Sequence, residues 1–259
     1  MKKMKGSYVA VFLLLGTCLL SFSQLSAQSS NELKTLPPAA QNALNKVLDK
    51  QEIKSVHSLK GGLSPSMIYK VTTDKKSYVL RLIDEHRSFS DREREITAMQ
   101  IASQGGIAPK VYYANAKEGV IVMEFIPSVP LSEKERSPPL LLPHLAHILR
   151  EIHRGPPFPP TDGAQEKIRD LNALLVLKKV KLPALINEVL TGFHRIENTL
   201  QKTAKLAPCH NDLNPNNILF TESGIKVIDW EAAGMGDPYF DLATIALFLR
   251  LPTRMKRPF

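Results

Sequence analysis

The chain has 259 residues, 43% hydrophobic and 23% charged, with 19 prolines, 13 glycines and one tryptophan. That composition excludes a collagen, a disordered tail and a polytopic membrane protein, and leaves room for one large domain or two lobes sharing a cleft. Two cysteines are too few for a disulfide framework or for a zinc cluster of cysteines. The net charge of +9 falls to about +6 without Lys2, Lys3 and Lys5. No aromatic-interleaved basic stripe accompanies it, so a solvated basic surface is expected rather than a nucleic-acid partner, and an anionic substrate is equally compatible.

Met1–Gly6 carries the three lysines, and Tyr8–Phe22 is a run of fifteen mostly apolar residues followed by small and polar ones through Ser30. Residues 1–30 have the layout of a secretory signal, with Ala27 before the cleavage point and Leu25 where a small residue is preferred. The run is short for a membrane span; as an uncleaved anchor with its lysines inside, it would also place the remainder outside the cytoplasm. Membrane contact is expected only through this segment.

Beyond Pro37, Ala43, Leu44, Val47 and Leu48 give Ala39–Lys50 helical spacing. Ser55–Leu59, Met67–Thr72 and Ser77–Ile83 read as strands, with turns at Gly61-Gly62 and Asp74-Lys75-Lys76. Asp91 is expected to cap a helix reaching about Ser103, stopped by Gly105-Gly106, before strands at Lys110–Tyr113 and Val120–Phe125. Ser137–Pro143 and Pro156–Pro160 read as proline-rich connectors. Leu145, Ile148, Leu149 and Ile152 form one apolar helical face, Ile168–Leu177 a second and Leu182–Leu200 a third.

The character then changes. Ala207–Asn217 is polar and turn-rich, and leads into Ile218-Leu219-Phe220, a turn ending at Gly224, and Ile225–Ile228. The loop spells His210-x-Asp212-Leu213-x-x-x-Asn217, and the hairpin delivers Asp229. Phosphoryl transfer from a nucleotide needs such parts: a carboxylate to orient and deprotonate a hydroxyl, and oxygen ligands for magnesium. Taken alone, the loop also reads as an Asn- and Pro-rich turn opening a hairpin.

His210–Leu219, with Val227-Ile228-Asp229-Trp230-Glu231 and Gly236-Asp237-Pro238-Tyr239-Phe240-Asp241-Leu242-Ala243, resembles the aminoglycoside phosphotransferase and choline kinase superfamily. The Cys-His-Asn-Asp-Leu start and the Trp-Glu pair lean towards its choline, ethanolamine and thiamine kinases. The resemblance is strong over 207–243, looser across 52–126, and undiagnostic in the helical middle.

It implies an α+β, two-lobed, protein-kinase-like fold. Residues 31–126 would be the nucleotide-binding lobe, with a small antiparallel sheet, and 127–259 a mainly helical catalytic lobe, shortened at its end. It implies ATP and magnesium as cofactors, and a small cationic alcohol of choline, ethanolamine or thiamine type as phosphate acceptor. An aminoglycoside-type acceptor is the alternative, as is an inactive nucleotide-binding or exported interaction protein. ATP is scarce outside the cytoplasm, so kinase chemistry and the signal-like start point to different compartments.

Residue by residue, the resemblance makes Asp212 the catalytic base, Asn217 and Asp229 the magnesium ligands, and His210 a member of the catalytic loop that orients it. Gly61, Gly62, Ser64 and Ser66 fall where the family keeps its loop over the phosphates, although an ordinary turn reads the same way. Arg81 replaces a phosphate-contacting cation with a bidentate fork; Glu95 is its expected partner and Glu93 the competitor. Glu124 and Phe125 fall at the hinge, whose main chain would hold the adenine edge. Trp230, Glu231, Asp237 and Tyr239 suit a cationic acceptor through charge and cation–π attraction; equally, they pack the lower lobe and cap its turns.

Overall fold

The computed structural model describes residues 33, 35–59, 65–132, 134, 137–162, 164–203, 205–222 and 224–249. The signal-like segment 1–30, three residues of the expected phosphate loop (Gly61, Gly62 and Ser64) and the basic end from Arg250 lie outside the described residues.

Helix α1 (Pro38–Leu48) begins on a proline, which suits a first helical position because the N–H it lacks has no partner within the helix. Its buried face, Ala40, Ala43, Leu44 and Leu48, lies in one apolar cluster with Val56, Val71, Tyr78, Leu80, Val120 and Val122 of the sheet. The sheet is made of β1 (Ile53–Ser58), β2 (Met67–Thr73), β3 (Ser77–Leu82), β4 (Val111–Asn115) and β5 (Val120–Glu124). Its order is β1-β2-β3-β5-β4, and every neighbouring pair is antiparallel.

Helix α2 (Phe89–Gln104) crosses between β3 and β4. Its cap is Ser88, not Asp91: the Ser88 hydroxyl accepts from the Asp91 N–H and donates to the Asp91 carboxylate, so Asp91 is the reciprocal partner three residues in. Buried Ile96, Met99 and Ala102 of α2 continue into a second apolar cluster with Leu145, Ile148, Leu149, Ile152, Leu213 and Trp230. That cluster crosses from the sheet-bearing half into the helical half without a break.

Ser137–Pro143 is not a connector. It opens α3 (Pro138–His153), with Pro138 at the first position and Pro143 inside the helix. Pro156–Pro160 is a connector, and it packs closely: Phe158 is buried and Pro160 forms an isolated bridge with Met235. Helices α4 (Ala164–Leu177) and α5 (Ala184–Thr203) follow, but on the apolar faces expected there the described residues Leu171, Leu174, Val176, Leu177, Leu185 and Val189 are exposed.

Two short pieces of sheet carry the polar loop. β6 (Ala207–Cys209) pairs with β9 (Gly234–Gly236), and β7 (Ile218–Thr221) with β8 (Gly224–Val227). Helix α6 (Pro238–Phe248) closes the described chain, capped by the Asp237 carboxylate on the Tyr239 N–H at 3.0 Å. No helix of the described residues is long and apolar enough to cross a membrane.

Candidate functional site

The loop between β6 and β7 is fixed from beneath by one buried carboxylate. Asp241, in the first turn of α6, accepts from the His210 N–H at 3.0 Å through Oδ2 and from the Asn211 N–H at 2.7 Å through Oδ1. His153, at the end of α3, meets the same Oδ2 at 3.0 Å. Asn211 occupies a left-handed backbone conformation, φ 63°, which an Asn side chain tolerates better than most. Its amide donates to the Ala232 carbonyl at 3.1 Å, tying the loop to the segment after Asp229.

His210 has no exposed surface. Its Nδ1 accepts from the Asp212 N–H at 3.3 Å, so its Nε2 carries the proton and donates to the Ile228 carbonyl at 3.0 Å. Burial holds its pKa below the ordinary value despite the nearby Asp241 carboxylate. His210 is therefore a positioning residue, not a catalytic one: no face of the ring is open to a reacting atom.

Asp212 is half-buried, and its carboxylate is oriented by two side-chain amides. Asn214 Nδ2 donates to both oxygens at 3.2 and 3.1 Å, and Asn217 Nδ2 to Oδ2 at 2.9 Å. Asn217 also donates to the Asp212 carbonyl, and its own carbonyl accepts from the Ile228 N–H at 2.9 Å. That last bond places Asn217 one residue from Asp229 across the base of the hairpin. Asp229 has φ 65°, and its Oδ1 is buried without a hydrogen bond.

Arg81 of β3 joins this oxygen to the opposite half of the molecule. Its guanidinium lies 2.7 Å from Glu95 Oε1, 3.3 Å from Asp229 Oδ1 and 3.4 Å from Glu231 Oε2. Glu95 is the partner; Glu93 is exposed on the other side of α2. Arg87 adds a second guanidinium, paired with Glu95 and with Glu231 at 3.3 Å. Three carboxylates thus share two guanidiniums, leaving the cluster one positive charge short.

A divalent cation fits the residues present. Asp229 Oδ1 is a buried carboxylate oxygen whose one charged contact is Arg81 at 3.3 Å, with no hydrogen bond, and Asn217, with its amide nitrogen committed to Asp212, has a side-chain carbonyl oxygen to offer. An all-oxygen donor set suits a hard ion such as magnesium.

The other expected contacts divide. Ser66 is half-buried just before β2. The Glu124 N–H donates to the Lys110 carbonyl at 2.8 Å and the Phe125 N–H to Ser77 at 3.4 Å, so neither amide is left for a ligand edge. Trp230 is corrected from ligand contact to core: its ring is 1% exposed, edge-on to His210 and Phe158, with Nε1 donating to the Val227 carbonyl. Glu231 is engaged by Arg81 and Arg87, Asp237 by its cap, and Tyr239 is exposed. Sequence reasoning named Asp241 only within the resembling stretch 236–243 and as a cap, with no role in the site, and missed Arg87 and Asn214. Asn214 follows Asp212 by two positions, a spacing at which an Asn side chain commonly turns back on the chain.

A five-stranded antiparallel sheet joined to a helical half by a polar loop and an acidic hairpin defines a protein-kinase-like fold. The chain belongs to the phosphotransferase enzyme family, whose model matches residues 55–256. Among individual relatives, protein LicA of Haemophilus influenzae is 28% identical over 173 residues, 65% of this chain and 64% of that one. A second LicA sequence from that species matches over 51% of its length, so the chain spans less than two thirds of these relatives. A thiamine kinase of Salmonella newport is 41% identical over 49 residues, 19% of this chain and 18% of the relative.

Solved structures share the fold. A choline/ethanolamine kinase family protein from Mesorhizobium loti superposes with a TM-score of 0.67 at 24% identity, over 84% of this chain and 72% of that one. Choline kinase LicA from Streptococcus pneumoniae gives 0.66 at 22% identity, over 85% and 78%.

Proposed function

We propose that the chain is an ATP- and magnesium-dependent kinase that phosphorylates a hydroxyl of a small cationic alcohol of choline, ethanolamine or thiamine type. The observation that carries this reading is the Asp212 carboxylate, held by Asn214 and by Asn217, which is itself bonded to Ile228, the residue before Asp229.

In this mechanism Asp212 orients the acceptor hydroxyl and takes its proton as the oxygen attacks the terminal phosphoryl group. Asn214 and Asn217 keep that carboxylate in one rotamer. Arg81, whose fork is spent on Glu95, Asp229 and Glu231 in this structure, would exchange the Asp229 or Glu231 contact for phosphate oxygens when nucleotide binds. Asn217 and Asp229 would hold magnesium, which neutralises charge on the phosphate chain. The acceptor class rests on the likeness to the choline/ethanolamine kinase family protein and choline kinase LicA structures and on the thiamine kinase relative.

The test is phosphate transfer from labelled ATP to choline, ethanolamine, thiamine and an aminoglycoside, using the purified chain. Transfer to one of the first three is expected, and Asp212→Asn or Asp229→Ala should lower it on the order of a thousandfold with the fold intact by circular dichroism. Transfer to the aminoglycoside alone would move the acceptor class. Undiminished turnover in both variants would overturn the mechanism, and nucleotide binding without transfer to any acceptor would overturn the activity.

A further inference from the structure

Beneath the loop, three donor atoms of different chemistry meet. His153 ends α3, Cys209 ends β6 and Asp241 sits in the first turn of α6; an imidazole nitrogen, a thiol sulfur and a carboxylate oxygen lie within 4.8 Å of one another. Cys209 and Asp241 are buried, while the His153 side chain keeps 15% of its surface exposed. Phosphoryl transfer gives Cys209 nothing to do. Its thiol makes a 3.4 Å contact with the Ala207 carbonyl of its own strand, a weak bond.

Geometry and donor chemistry agree on what could sit there. Bonds of about 2.0–2.3 Å to zinc separate the donors of a tetrahedral site by about 3.2–3.8 Å. His153 Nε2 and Asp241 Oδ2 are 3.0 Å apart, and the Cys209 sulfur lies within 4.8 Å of both, at most about 1 Å beyond that spacing. Two ligands stand on helices and the third on a paired strand, so the set is held by regular backbone. His153 is the one member of the set with exposed surface, so an ion and a water as fourth ligand would come from its side.

We propose that His153, Cys209 and Asp241 form a binding site for a thiophilic divalent cation of the zinc class. Thiolate with imidazole selects such an ion over magnesium. On binding, the Cys209 thiol releases its proton to solvent and the sulfur bonds the ion. The proton that His153 Nε2 shares with Asp241 Oδ2 in the metal-free chain leaves to solvent while Nδ1 takes one up in exchange, so the neutral ring offers Nε2 to the ion, and Asp241 binds through Oδ2. Two negative ligands balance the double positive charge. Asp241 Oδ2 also accepts the His210 N–H, so a cation there competes for one of the bonds that tether the loop. The site is independent of the phosphotransfer reading and stands or falls on metal binding alone.

The experiment titrates the full chain with Co2+ and follows the thiolate-to-cobalt charge-transfer absorption, then displaces the metal with Zn2+. Because the chain has two cysteines, Cys18→Ser leaves Cys209 as its single thiol. The band is expected at one cobalt per chain in wild type and in Cys18→Ser, absent in Cys209→Ser, and abolished by one equivalent of zinc. His153→Gln should weaken zinc by tenfold or more against a chromophoric chelator. No charge-transfer band in wild type, loss of the band in Cys18→Ser, or its survival in Cys209→Ser would each overturn the site.

Discussion

At Glu95 a carboxylate with no exposed surface faces the guanidiniums of Arg81 and Arg87. Burial pushes its pKa up, and the two arginines pull it back. Such a group is tolerable only while both partners stay in place, which is why it marks a position that the rest of the molecule over-determines. His210 is the same problem with the opposite sign. Its unfolded-state pKa is about 6.5, and burial depresses the folded value. Below about pH 6.5 the unfolded chain therefore binds a proton that the folded chain refuses. The contribution to stability is constant above that pH and is lost as pH falls, with a slope of at most about 1.4 kcal/mol per pH unit. Urea midpoints at pH 7.5, 6.5 and 5.5 should drop more steeply in wild type than in His210→Asn; parallel profiles would mean that His210 titrates alike in both states. Residue identities of this kind were partly legible in the sequence. The spacing of Asp212, Asn217 and Asp229 drew them together as a candidate site, and Arg81 with Glu95 as its partner came from the family resemblance and pairs as expected. Asp241 and Arg87 did not stand out, because what they hold is brought to them only by tertiary packing.

Among the elements, those with a strong local period were readable and those held by partners were not. α1, α2 and the five strands of the large sheet fall within a few residues of their expected limits, since alternation and helical spacing are written locally. β6 and β9 are three residues each, contain proline or glycine, and exist because they pair with each other. Gly234 shows how tight that pairing is. A Cβ there would lie 2.3 Å from Thr161 Cγ2, 2.7 Å from Thr161 Cβ and 3.1 Å from the Pro159 carbonyl oxygen. The connector 156–160 and β9 thus approach at a distance that only glycine allows, and Pro160 bridges Met235 beside it. Gly234→Ala is expected to destabilise the chain by about 1–3 kcal/mol through forced displacement of that connector. Thr161→Gly in the same background should recover most of the loss. Equal stability of Gly234→Ala and wild type in denaturant titrations would show that the connector yields freely.

For the whole molecule, the decisive feature is that the two halves share a core and a set of polar bonds. Ile96, Met99, Ala102 and Ile121 belong to the same apolar cluster as Leu145, Ile148, Leu213 and Trp230. Polar bonds cross the same boundary: the Val227 N–H donates to the Ile107 carbonyl at 2.9 Å, and the Lys226 side chain reaches the Gly106 carbonyl. Arg81 joins Asp229, and Arg94 reaches the Glu231 carbonyl at 3.5 Å. Independent unfolding of either half would expose a face of this common core and leave the Asp229 and Glu231 carboxylates without their guanidiniums, so neither half has a stable state of its own to occupy. The chain should therefore melt in one calorimetric transition, with the van't Hoff enthalpy matching the calorimetric one. Arg81→Ala should lower that single midpoint without splitting it, because it strips a buried charge partner from Glu95 while leaving the apolar continuity intact. Two resolved peaks in wild type would mean that the shared cluster does not couple the halves, and a split confined to Arg81→Ala would transfer the coupling from the core to the ion pairs.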